Sequence, residues 1–109
     1  MRLFAHQMAL DQRKVSRISE FLEESFVGCS VHSREDEDRV AQLYWIANDT
    51  TGKTLHRVFI TRAFLDDHAE TEIIPALQDL GLLLSLRLAG DRRVTVRSHI
   101  IEIEVARGR

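Results

Sequence analysis

The sequence predicts an α+β fold, a two-layer sandwich in which an antiparallel sheet of about five strands carries two helices, in the order α-β-β-β-α-β-β. Three observations predict it. Apolar residues recur three or four apart near the N-terminus and again in mid-chain, as in a helix with one buried stripe. Between those stretches lie short runs rich in β-branched and aromatic residues, separated by polar turns. The C-terminal third alternates apolar and polar residues with the period of two that pleating imposes.

In chain order, residues 11–26 read as the first helix. Val15, Ile18, Leu22 and Phe26 form its stripe with Phe21 beside them, and Asp11 is placed to cap its N-terminus. Phe4 and Met8 would extend the stripe backwards, and Gly28 ends it. A short strand at 29–33 leads to Glu35-Asp36-Glu37-Asp38, four adjacent carboxylates that want water and suit an exposed turn. Strands at 39–47 and 54–61 complete a meander. Both have mixed patterns that leave their faces unassigned.

The second helix is expected over 63–80, with Leu65, Ala69, Ile73, Ala76, Leu77 and Leu80 as its stripe. Pro75 predicts a kink or restart, because it lacks a backbone donor and clashes with the preceding turn. Asp67 and Glu70 have capping-box spacing, and Gly81 terminates the segment. Leu82, Leu84, Leu86 and Leu88 then alternate as a strand would, and residues 89–92 turn the chain. In the last strand the apolar phase flips at Ile100-Ile101. That flip requires either a bulge or a second covered face, and a dimer partner would supply the cover.

A chain of 109 residues, 44% hydrophobic and 29% charged, suits a single domain over residues 1–109. Its longest apolar run, Leu82-Leu83-Leu84, is far too short to span a bilayer. The N-terminal stretch is interrupted by Gln7, Asp11, Gln12 and Arg13, unlike a signal peptide. One cysteine, Cys29, cannot form an internal disulfide, so a soluble cytoplasmic protein is expected. A net charge of −2 gives no global pull toward nucleic acid, but the charge is uneven. Residues 1–86 carry nine Arg/Lys against fourteen Asp/Glu (−5), whereas residues 87–109 carry six against three (+3).

Residues 47–54, Ala-Asn-Asp-Thr-Thr-Gly-Lys-Thr, nearly spell a phosphate-binding loop after a strand. The helix that such a loop must open is missing. Leu55-His56-Arg57-Val58-Phe59-Ile60-Thr61 reads as a strand, so a hairpin turn with Gly52 at positive φ is expected. The element order invites comparison with metal-dependent nucleases, yet Asp/Glu-x-Lys occurs nowhere and Asp49 is the lone acid near the required place. Cys29-x-x-His32 is half of a zinc spacing with no second half. Asp66, Asp67, His68, Glu70 and Glu72 are explained as the charged N-terminus of a helix. No complete catalytic, cofactor-binding or metal-binding set emerges.

Two surfaces remain. Ser85, Arg87, Arg93, Thr95, Arg97 and His99 would line one side of a C-terminal hairpin, where Arg87, Arg93 and Arg97 are candidate contacts for phosphates or nucleic acid. Ile101, Ile103 and Val105 are the candidate partner interface. The layout is similar to that of small acidic secretion chaperones. The expected function is a small non-enzymatic interaction module (adaptor, chaperone-like or regulatory), homodimeric or bound to a protein partner, needing no cofactor and no membrane. The alternative is nucleic-acid binding through the basic hairpin face.

Overall fold

The computed structural model describes residues 2–105, with side chains from Gln12 onward. Among them the chain forms α1 (Arg2–Ser25), β1 (Cys29–Asp36), β2 (Ala41–Asn48), β3 (Thr54–Thr61), α2 (Arg62–Asp67), α3 (Ile73–Leu80), α4 (Leu82–Ala89), β4 (Arg93–Val96) and β5 (Ile101–Ile103). The α+β class and the five-stranded sheet match expectation. There are four helices rather than two, and one strand pair is parallel.

α1 begins well before the expected start. Residues 3–10 contain neither Gly nor Pro and are mostly good helix formers, so Asp11 lies within the helix rather than at its start. The Phe4 and Met8 side chains lie outside the described residues. Val15, Ile18 and Leu22 are buried as predicted, with Phe21 and Phe26 packed at the margin.

The sheet order is β1-β2-β3-β4-β5. β1, β2 and β3 form an antiparallel meander, β3 pairs parallel with β4, and β4 and β5 close an antiparallel hairpin. A parallel pair needs a crossover, and α2, α3 and α4 provide it. Thr61 is the hinge of that crossover. Its hydroxyl accepts the Phe64 N–H at the start of α2 and donates to the Val96 carbonyl at 2.9 Å.

The single helix expected over 63–80 is two. Pro75 falls in the first turn of α3, where a missing N–H leaves no hydrogen bond unmade, so the proline marks a restart. Asp67 ends α2 instead of starting a helix, and its carboxylate accepts the Ser98 hydroxyl at 2.7 Å.

The Leu82 to Leu88 segment, expected as a strand, is the helix α4. Leu82, Leu86 and Ala89 are spaced four and three apart and are buried, while Leu84 and Leu88 are 62% and 66% exposed. A stretch of leucines satisfies both periods. The absence of β-branched residues and the strong helix propensity of Leu, Arg and Ala decide for the helix. The phase flip at Ile100-Ile101 is likewise no bulge. Arg97 N–H donates to the Ile100 carbonyl at 2.8 Å, closing a turn that sets Ile101 opposite Val96 and Ile103 opposite Val94.

All four helices lie on one side of the sheet. Tyr44, Ile46, Val58, Ile60, Val94 and Val96 point at them and are buried with the helical stripes. Tyr44 also donates its hydroxyl to the Val15 carbonyl at 3.1 Å, tying β2 to α1, and burial pushes its pKa up. Among the described residues no helix packs on the opposite face. It holds a small cluster of Ala41, Leu43 and Phe59, with Trp45 at its margin.

Candidate anion-binding sheet face

The 48–54 segment is a hairpin turn. Asn48 N–H donates to the Lys53 carbonyl at 2.9 Å, Gly52 N–H donates to the Asn48 carbonyl at 2.8 Å, and Gly52 has φ 75°. Asn48 Oδ1 accepts the N–H groups of Thr50 and Thr51, so amides that a phosphate would need are already engaged. β3 begins directly at Thr54, and Asp49 accepts the Ser30 hydroxyl.

The other sequence candidates separate in the same way. Cys29 packs at the edge of the main core while His32, three residues along the strand, lies on the opposite face, so the two do not form a pair. Asp66 and Asp67 fall at the end of α2, not at a helix start. His68 Nδ1 is 2.8 Å from the Phe64 carbonyl, and Glu70 pairs with Arg17 at 3.2 Å. Among the described residues no three His, Cys, Asp or Glu side chains group as metal ligands would. No helix among them is long and apolar enough to cross a membrane.

The basic hairpin face is only partly assembled. Arg87 sits on α4, on the helical side, with its guanidinium 5.7 Å from the Phe26 ring centroid. Arg97 is paired with Glu102 at 2.9 Å. Arg93 is exposed on β4, and the parallel register sets it directly beside Arg57 of β3. Ile101 and Ile103 are half-buried on the core face of the edge strand β5, and Val105 beyond it is 82% exposed.

Strand register produces a site that the sequence pattern did not reveal. Trp45 of β2 faces His32 of β1 on one side and Arg57 of β3 on the other, and Arg57 in turn neighbours Arg93 of β4. Residues directly opposite in a sheet share a face, so these four form one row across the helix-free surface. His32 and Trp45 stack with ring centroids 5.3 Å apart and an interplanar angle of 23°. The next row carries Arg34, Leu43, Phe59 and Thr95. Arg34, Leu43, Trp45, Thr54 and Arg57 line a shallow groove of about 360 Å³.

Electrostatics sharpens this row. Arg39 is held by Asp36 at 3.3 Å and lies over the Phe59 ring, 4.6 Å from its centroid, which explains how Phe59 is buried without a helix above it. Asp36 also accepts the Arg39 backbone N–H, and that bond holds its carboxyl below the usual carboxylate range. Arg34, Arg57 and Arg93, by contrast, have no carboxylate within salt-bridge distance among the described residues. The face therefore offers three cations beside two stacked rings. The pairing of Trp45 with Arg57 lies within one hairpin, whereas the adjacency of Arg57 to Arg93 spans three helices and left no local signal.

Comparison with known proteins found no matching family model, no similar curated protein and no similar solved structure.

Proposed function

We propose that this chain is a small non-enzymatic binding module that receives an elongated anionic partner on its helix-free sheet face. The observation that carries this reading is the row His32, Trp45, Arg57 and Arg93, with Arg34 beside it. Aligned cations beside an aromatic ring on a sheet face suit the recognition of charge. The lone thiol of Cys29 supports a cytoplasmic location. A heparin fragment on a column tests the charge. Wild-type protein is expected to be retained and to elute earlier as salt rises. The double variant Arg57→Glu, Arg93→Glu is expected to lose that retention with an unchanged melting temperature. Equal retention of the two proteins would refute the assignment.

A second reading, self-association, has its own observation. Arg92 donates to the Leu88 carbonyl at 3.2 Å and to the Glu104 carbonyl at 3.4 Å, which brings the end of α4 against the end of β5. Exposed Leu88 and Val105 thus border the edge strand that carries Ile101 and Ile103. An apolar margin beside an unpaired strand edge suits a second copy of the chain. Light scattering should then give a dimer that Leu88→Asp dissociates. A wild-type protein that stays monomeric up to high concentration removes this reading.

A further inference from the structure

We infer that the anionic partner of the sheet face is single-stranded nucleic acid, with Trp45 stacking on a base and Arg34, Arg57 and Arg93 holding the flanking phosphates. This inference rests on the anion-binding reading above and names its ligand.

Two properties of the face point to a chain that alternates charge with flat rings. The cations lie on both sides of the ring pair, Arg34 on β1 with His32, and Arg57 and Arg93 on β3 and β4 beyond Trp45. With strands about 4.8 Å apart, the row from β1 to β4 spans roughly 14 Å, enough for a short run of backbone to cross the sheet. The rings are also available. Leu43 and Phe59 in the neighbouring row are buried, at 8% and 4% exposure, whereas Trp45 is only partly buried and His32 is exposed. His32 stacks on one face of Trp45 and steadies the indole, so little side-chain freedom is lost when a base settles against it from the adjoining groove.

Other anions use less of this surface. An acidic peptide would engage the arginines but leave the ring pair idle. A duplex hides the flat faces of its bases, and among the described residues no helix lies on this face to enter a groove. A single strand exposes both phosphate and ring. Acidic groups bound the site on two sides. Asp36, Glu37 and Asp38 stand at the β1–β2 turn and Glu102 lies beside Thr95, while Glu104 ends the central row, its carboxylate accepting the Arg93 N–H at 3.4 Å, so a strand is confined to the stretch from His32 to Arg93.

Because Trp45 is the only tryptophan in the chain, its fluorescence reports directly on the site. The protein is titrated with oligodeoxythymidine, oligouridine, a duplex of equal length and a polyglutamate peptide at several salt concentrations. Single strands are expected to quench Trp45. The logarithm of their affinity should fall against the logarithm of salt concentration with a slope of about −2 for three phosphates, and Arg57→Ala or Arg93→Ala should each flatten it by about 0.7. Trp45→Ala is expected to weaken labelled-strand binding by about 10- to 100-fold. Trp45→Phe should retain most of it, and heparin retention should be unchanged in both. Full-strength binding by Trp45→Ala, or equal binding of duplex or polyglutamate, overturns the inference. If heparin retention depends on Arg57 and Arg93 but no strand quenches Trp45, the ligand assignment falls and the anion-binding reading stands. If neither probe binds, both fall.

Discussion

Val40 is a β-branched residue in the left-handed region, with φ 50°, and its side chain is 60% exposed. Glycine or asparagine usually occupies such a position. Two bonds hold it there, its own N–H to the Glu37 carbonyl at 3.3 Å and the Arg62 N–H to its carbonyl at 2.9 Å. Replacing it with glycine removes about 1–2 kcal/mol of strain and adds about 0.5–1 kcal/mol of chain entropy to the unfolded state. Val40→Gly is therefore expected to stabilise the fold by about 0.5–1 kcal/mol in urea unfolding; a loss of stability would show that the exposed valine packs more than its accessibility suggests. Nothing in the local pattern marks this strain, since valine favours extended backbone and Val31, Val58, Val94 and Val96 all lie in strands. The second hairpin was legible because Asn48 and Gly52 are residues whose own chemistry builds a turn.

Gly81 serves two elements at once, ending α3 and starting α4 with φ 79° and ψ 38°, while its N–H caps carbonyls of Leu77 and Gln78. A Cβ there would meet nothing within 4 Å, so the penalty for a side chain lies in the backbone alone. Gly81→Ala should destabilise the protein by about 1–2 kcal/mol and Gly81→Asn by less, since asparagine tolerates the left-handed region. Chemical denaturation of the two variants checks that order. As a helix terminator, Gly81 could be read directly from the sequence. What followed it could not, because Leu82, Leu84, Leu86 and Leu88 present apolar groups to one side of a strand and also, through Leu82 and Leu86, to one side of a helix. Packing against β3, β4 and β5 selects the helix, leaving Leu84 and Leu88 toward solvent.

At the scale of the molecule, burial is lopsided. Among the described residues one sheet face shares a core with four helices, and the other carries a small cluster of its own side chains. β2 and β3 lie in the middle of the stack, while β5 is a three-residue edge strand. Hydrogen exchange is expected to follow that layout. Amides of Tyr44, Ile46, Val58 and Ile60 should exchange only through global unfolding, and those of β5 through local opening that is faster by orders of magnitude. Equal protection across the sheet would mean that β5 is held by something beyond its pairing with β4, as a second copy of the chain across that edge would do.

Local sequence determined the α+β class, the stripe of α1, the β2–β3 hairpin and the restart at Pro75, because each follows from periodicity or turn chemistry within a few residues. The tertiary structure decided which strands became neighbours. β3 meets β4 only after three intervening helices, and a register set across that distance leaves no local trace in the chain. That register places Arg93 beside Arg57, the neighbour of Trp45, so the row was completed by a residue the sequence keeps far from the other three.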